Sequence, residues 1–180
     1  MRTLFILDRK DYTSDEKVLV RPSVRGIIMK DGMLCAVYSH RYDCYKHPGG
    51  GMEPGETHLQ TLCREAREEA GVVVRAASVH PFGNVHRVSR GVDEYAEYDL
   101  FIQDNYYYLA EAEVTGLPVQ YDTYELEEEP EAVLVSPEEF IRVNRTHDHH
   151  GADPAMIERE THVTELLLQE NDAVYGNNQL

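Results

Sequence analysis

"HPGGGMEPGETHLQTLCREAREEAG", residues His47 to Gly71, decides how this chain is read. It opens with three glycines, passes through a polar turn and enters a segment crowded with carboxylates. Thr57 followed three positions later by Gln60 has the form of a capping box. Gly71 stands where helices commonly end in the left-handed conformation. The stretch therefore predicts a helix from about His58 to Ala70. At ~100° per residue, Leu59, Leu62, Cys63, Ala66 and Ala70 share one stripe, the expected buried face. Glu65, Glu68 and Glu69 gather on the other side, and Arg64 precedes Glu68 by four. Like charges at this spacing repel by a few tenths of a kcal/mol per pair, roughly. The crowding asks for a compensating partner.

A hard divalent cation is such a partner. Mg²⁺ and Mn²⁺ take oxygen ligands, and Mg²⁺ shares its shell with water and substrate phosphates. Gly49, Gly50 and Gly51 let a ligand approach the main chain, and a carbonyl there is one more oxygen donor. Taken alone, "EAREEAG" also reads as a solvated, acidic helix face. The glycines lack the Lys of a Walker loop, and no DxDxDG calcium loop is present.

On either side of this stretch the chain mixes strands and helices. "SVRGIIMKDGMLCAVYS", Ser23 to Ser39, reads as a hairpin turned at Lys30-Asp31-Gly32. "TLFIL" reads as a first strand, and "VVVRAASVHPF" as one that starts directly after Gly71. "NYYYLAEAEV", Asn105 to Val114, and "EAVLVS", Glu131 to Ser136, are further strands. Ser136 caps a helix that begins at Pro137, and Asp153 to Glu170 forms a second long helix. "HRVSRGVDEYAEYDLFIQD", His86 to Asp104, reads as strand-turn-strand or as loop. "PVQYDTYELEEEP", Pro118 to Pro130, reads as an acidic, solvated connector. Without strict βα alternation, the pattern predicts an α/β sandwich around a mixed sheet.

With 180 residues, 42% hydrophobic and 28% charged, the chain suits one domain over 1–180 with a sizeable core. The core is expected at about 20–170, with a frayed tail at 171–180. A net charge of −16 argues against binding a long phosphate backbone, which needs clustered Lys and Arg. A small phosphorylated ligand remains compatible, because a divalent cation reverses the local sign. No apolar run approaches the ~20 residues of a membrane span, and the N-terminus lacks a signal peptide's pattern. The three cysteines, Cys35, Cys44 and Cys63, form no CxxC pair and read as reduced, buried thiols. A cytoplasmic protein is expected.

The full spacing is Gly50, five residues, Glu56, seven residues, Arg64-Glu65-Ala66, one residue, Glu68-Glu69, one residue, Gly71-Val72. It resembles the signature of the Nudix hydrolases. Two positions depart from that pattern: Ala66, where a larger aliphatic residue is preferred, and His47, where an apolar one is usual. The resemblance implies an α/β/α sandwich and a Mg²⁺-dependent pyrophosphohydrolase, with Mn²⁺ as a substitute. Its substrate would be a nucleoside diphosphate linked to another moiety, of the nucleoside triphosphate, ADP-ribose, nucleotide sugar or dinucleoside polyphosphate type. Glu65, Glu68 and Glu69 would hold the metal with the Gly49 carbonyl. Arg64 would orient the glutamates, and Glu56 would brace the loop. Gly50, Gly51, Glu53 and Glu56 would face the substrate. The general base would be Glu65 or a carboxylate from the acidic connector, with Glu125 the first candidate and Glu128 the second.

Tyr106 and Tyr108 share one face of their strand and Tyr107 takes the other. The pair is a candidate for stacking on a base, with ordinary strand packing as the alternative. "RTHDHHGAD", which holds His147, Asp148, His149 and His150, reads as a polar loop and matches no zinc pattern. A homodimer is a further expectation from the resemblance. The competing readings are a nucleotide-sensing domain that keeps the fold without catalysis, and an isoprenoid diphosphate isomerase that would use Cys44.

Overall fold

The computed structural model describes residues 1–91 and 95–175, with the backbone alone at residues 124 and 171–175. A mixed sheet organises them. Its strands are β1 (Thr3–Asp8), β2 (Val18–Val20), β3 (Ser23–Lys30), β4 (Met33–Ser39), β5 (Cys44–Lys46), β6 (Gly49–Gly51), β7 (Val73–Val74), β8 (His80–Ser89), β9 (Leu100–Val114) and β10 (Pro130–Val135). The main path runs β1-β8-β9-β3-β4-β10. β3 lies parallel to β9 and antiparallel to β4, and β8 is antiparallel to β9. Four helices join them: α1 (His58–Glu69), the single turn α2 (Thr123–Leu126), α3 (Pro137–Thr146) and α4 (Pro154–Tyr175).

The alternation of β3 explains the three layers. Ile27 faces Leu34, Phe82, Val85 and Tyr107, where Phe140 of α3 and Val163 and Leu167 of α4 pack. Ile28 faces the other way, among Cys35, Ala110 and Ala112, where Ala66 and Ala70 at the α1 end pack. Removing a core side chain such as Phe140, which is fully buried, typically costs about 3–5 kcal/mol. α1 lies close to the sheet because Gly26 has no side chain: a Cβ there would fall 2.8 Å from Leu62 Cδ1. Fully buried Ala66 fits the same tight contact, which accounts for a small residue at that position.

The other departure, His47, is also a packing matter. It is fully buried and stacks on Phe140 at 4.9 Å between ring centroids. Its Nε2 lies 3.0 Å from Thr164 Oγ1, whose own proton goes to the Glu160 carbonyl. The network thus assigns the proton to Nε2 and leaves Nδ1 without a partner. Burial lowers the ring's pKa to about 4. A neutral, stacked imidazole fills the place of an apolar side chain.

The hairpin turns at Asp31 and Gly32, both at positive φ, as Asp-Gly predicts. Thr57 and Gln60 form the capping box, and Ser136 caps α3. Gly71 adopts φ +61°, and a Cβ there would meet the Leu117 carbonyl oxygen at 2.2 Å.

Some expectations hold and others need correction. The buried residues of α1 are Thr61, Leu62, Glu65, Ala66 and Glu69, whereas Leu59 is 42% exposed. The buried stripe is turned by roughly a quarter of a revolution from the apolar one, because the flank that carries the carboxylates packs against β6. The strand after Gly71 is only two residues long. A 3₁₀ turn at Ala76–Ser78 separates it from β8. The His86–Asp104 stretch resolves into the end of β8 and the start of β9, with residues 92–94 outside the described residues. The acidic connector contains α2. α4 continues to Tyr175, through half of the expected tail, and residues 176–180 lie outside the description. All three cysteines are free; Cys35 and Cys44 are buried and Cys63 is partly so. No described helix is long and apolar enough to cross a membrane.

Candidate active site

The glycine run forms β6, paired antiparallel with β3 so that Gly49 faces Arg25 and Gly50 faces Val24. Gly49 is sterically required, and Gly50 leaves the space that a carboxylate fills. Gly49 has φ +150°, and a Cβ would sit 2.2 Å from the Val24 carbonyl oxygen. A Cβ on Gly50 would sit 2.4 Å from Glu65 Oε1. The bare main chain lets the α1 carboxylates lie directly against the strand.

Arg64 organises those carboxylates. Its Nε and Nη2 donate to Glu56 at 2.8 and 3.0 Å, and Nη2 also reaches the Gly51 carbonyl at 3.2 Å. Its Nη1 donates to Glu65 Oε1 at 2.7 Å and to Glu68 Oε2 at 3.3 Å. Glu56 also accepts from the Thr61 hydroxyl and the Glu53 backbone N–H. Its hydrogen bonds with Arg64 hold its pKa down to about 2. Glu56 therefore ties loop to helix. Glu53 is exposed and is tied in through its main chain.

Glu65 and Glu69 are in a different state. Both are buried, at 7% and 8% exposure, and burial raises the pKa of each. Arg25 and Lys46 pull Glu69 back, while Glu65 and Glu125 push it further up. Glu69 Oε2 accepts the Gly49 N–H at 2.7 Å. Arg64 engages one oxygen each of Glu65 and Glu68, and leaves the second oxygen of both uncommitted. Among the described residues no three His, Cys, Asp or Glu side chains already stand at metal-binding spacing. The donor set nevertheless suits a hard cation: carboxylate oxygens only, two of the groups desolvated without full compensation, beside a strand with no side chains.

A cleft of about 670 Å³ opens beside this cluster. Gly49 to Gly51, Glu69, Glu125 and Glu128 line one end. Glu125 reaches it from α2, where its carboxylate accepts the Asp122 N–H at 2.7 Å, and Glu128 pairs with Lys46. The connector hangs on the C-terminus of α1: Gln120 N–H donates to the Glu68 carbonyl at 2.8 Å and Tyr121 Oη to the Glu69 carbonyl at 3.0 Å. Among the described residues, seven of the chain's 17 Lys and Arg line the cleft, including Arg21, Arg25, Lys46 and Arg87.

That basic wall has no linear signal, since its members come from β3, β5, β8, α4 and the loops that follow β1, β2 and β8. A pairing of charged residues across the sheet would have been needed to find it. The aromatic pair of the cleft, Tyr95 and Phe101, stacked at 5.3 Å, was likewise missed. Tyr106 and Tyr108 do not line the cleft. They share the α1 side of β9, where the His58 ring lies 4.4 Å from Tyr106 and its Nδ1 lies 2.7 Å from the Tyr108 hydroxyl. His147 and His149 brace the loop before α4 against Asp43 and the Tyr42 and Asn144 carbonyls.

The model of the NUDIX domain matches residues 20–158, most of the chain. The chain belongs to the Nudix family. Among solved structures, a NUDIX hydrolase from Nitrosomonas europaea shares 17% identity, with 80% of this chain and 89% of that one covered and a TM-score of 0.53. The E. coli ORF135 protein shares 21% identity, with 87% and 94% covered and a TM-score of 0.53. These likenesses speak to the Nudix fold. No functionally curated protein matches significantly in sequence. The enzyme class follows from the Nudix family: a hydrolase acting on phosphorus-containing acid anhydrides, with small nucleotide substrates and a divalent metal as the family's usual partners.

Proposed function

We propose that this Nudix enzyme is a pyrophosphohydrolase that cuts the diphosphate of a small nucleoside diphosphate derivative, with Mg²⁺ or Mn²⁺ held by Glu65, Glu68, Glu69 and the Gly49 carbonyl. One observation carries the reading: buried, under-compensated Glu65 and Glu69 adjoin a cleft that gathers seven of 17 cationic side chains in a protein of net charge −16. Bound divalent ions would neutralise the diphosphate and acidify the attacking water.

The chain's own groups divide the remaining work. Arg25 and Lys46 face the diphosphate and meet the charge that builds as the anhydride bond breaks. Glu125, beside Glu69 and carried on a separate element, takes the proton of the attacking water; Glu65 and Glu128 are the alternatives. Water adds to phosphorus, the bridging P–O bond breaks, and each half leaves with its phosphate. Arg64 and Glu56 hold the glutamates in register with the glycine strand. Three free thiols support a cytoplasmic setting.

The test is product release from nucleoside triphosphates, ADP-ribose, nucleotide sugars and dinucleoside polyphosphates, with Mg²⁺ and with Mn²⁺, beside Glu69→Gln. Metal-dependent turnover that collapses in the variant is expected. Ligand binding without turnover of any compound would shift the assignment to a nucleotide sensor.

A further inference from the structure

The end of the cleft away from the α1 carboxylates carries groups that the proposed hydrolysis does not use. Arg87 and Ser89 stand two residues apart on one face of β8 and both line the cleft. Gln103 and Phe101 of β9 are their register partners. Among the described residues, Arg87 Nε is buried and finds no hydrogen-bond partner, and neither does Ser89 Oγ, in a residue only 2% exposed. Two unsatisfied donors on one wall are unusual in a folded protein, where buried polar groups are nearly always paired.

Among the described residues the surrounding charge has one sign in excess. Arg87 Nη2 pairs with Asp153 Oδ2 at 2.8 Å, but Asp153 Oδ1 is also claimed by Arg9 at 2.8 Å. Arg9 also meets Asp11 at 3.4 Å, so Asp153 and Asp11 together offset Arg87 and Arg9. Arg90 and Arg21 line the same cleft. Burial and the nearby Arg159 and Arg9 lower the pKa of Arg87, against the pull of Asp153. An anion on this wall would relieve the crowding and give the orphaned donors an acceptor.

The wall is continuous with the catalytic end. Arg21 lies against Gly51, and its Cζ is 5.5 Å from the Tyr95 ring centroid. Tyr95 stacks on Phe101, and Arg87 Cζ lies 6.0 Å from the Phe101 ring. A flat group laid along these rings would reach from the glycine strand to Arg87.

We infer that Arg87 and Ser89 form a second anion subsite, which binds a phosphate monoester carried by the substrate outside the diphosphate that is cut. The inference rests on the proposed hydrolysis and sharpens it to a substrate class: nucleoside diphosphate derivatives with an additional phosphate. A guanidinium offers a planar fork that matches phosphate, and the serine hydroxyl adds a short donor beneath it.

Substrate pairs that differ by one phosphate monoester test this with the full chain and Mg²⁺: ADP-ribose against its 2′-phosphate, and dephospho-coenzyme A against coenzyme A. In the wild type, kcat/KM should favour the phosphorylated member by about tenfold or more in at least one pair. Arg87→Gln should bring the ratio close to one. Ser89→Ala should lower it without loss of thermal stability, because Ser89 Oγ holds no partner among the described residues. A wild-type ratio near one in both pairs, or a ratio unmoved by both variants, overturns the subsite.

If neither pair is cleaved, the hydrolase reading has failed for these compounds, and binding decides the subsite separately. Inorganic phosphate is then titrated calorimetrically into the metal-free full chain. Weaker binding by Arg87→Gln and Ser89→Ala than by the wild type supports the subsite, and equal binding overturns it.

Discussion

Two places in this molecule bury a glutamate, and they treat it in opposite ways. Glu160 of α4 is fully buried and fully met: the Tyr107 hydroxyl donates at 3.0 Å, the His47 N–H at 3.0 Å and Arg159 through Nε and Nη2 at 3.1 and 2.8 Å. Arg159 and the other neighbours outweigh burial and hold its pKa down to about 2. Glu69 of α1 is nearly as buried, and burial wins, so its pKa is raised. Its cationic neighbours, Arg25 and Lys46, are offset by Glu65 and Glu125. A carboxylate that serves the fold is supplied with its counter-charge by the chain. One that serves chemistry is left wanting a cation from outside.

The comparison breaks most visibly on stability. Glu160→Gln should cost about 3–5 kcal/mol in denaturant unfolding, since it strands buried Arg159 without its anion. Glu69→Gln, which removes an uncompensated buried charge, should leave the metal-free protein as stable or more so. Equal losses in the two variants would erase the distinction. Glu160 contributes to the acid limb of stability, as does Glu56. The contribution of Glu160 is intact above about 4.5 and drains away as pH falls toward about 2. Unfolding midpoints measured across that range should slope less in Glu160→Gln.

The next largest effect is on turnover. Glu69→Gln should lower kcat by about 10²–10³-fold, the usual scale for losing one group that stabilises developing charge. Glu160→Gln, assayed below its melting range, should retain more activity. Mg²⁺ should then separate the two sites by linkage: at a hundredfold excess over its Kd it adds about 2.7 kcal/mol to the wild type, with a matching rise in Tm. The rise should survive in Glu160→Gln and vanish in Glu69→Gln. Smallest of all, Leu59→Ser should change stability by no more than about 0.5 kcal/mol, because Leu59 lies at the surface and outside the core clusters. A large loss there would restore Leu59 to the buried face of α1.

These residues also mark what is legible in the sequence. Local grammar was readable: the Thr57–Gln60 capping box, the Asp31-Gly32 turn, and Ser136 with Pro137 all depend on neighbours in the chain. The carboxylate cluster was readable for the same reason, since one helix carries it. Glu125 is a candidate only through the family resemblance, and α2 with its ties to α1 brings it to the cleft. The orientation of α1 was not readable. Apolar periodicity placed Leu59 inside and the glutamates outside, whereas three bare glycines on β6 draw the glutamate flank inward. The arginine wall was invisible too, because Arg21, Arg87 and Arg159 are brought together only by sheet pairing and by α4. Tyr106 and Tyr108 were placed on one face correctly, but their neighbour, His58, is 48 and 50 positions away.

The ties between the connector and α1 have a mechanical consequence. A helix leaves its last carbonyls without partners, and here Gln120 and Tyr121 claim those of Glu68 and Glu69, while Leu117 N–H takes that of Gly71. The end of α1 thus serves as an anchor point, and the few residues from Tyr121 to Glu125 as a fixed-length arm. Glu125 is positioned from the same helix that bears Glu69, although it stands 55 positions after Ala70 in sequence. A single residue added between Tyr121 and Glu125 would change the reach of the arm and carry the carboxylate out of the cleft.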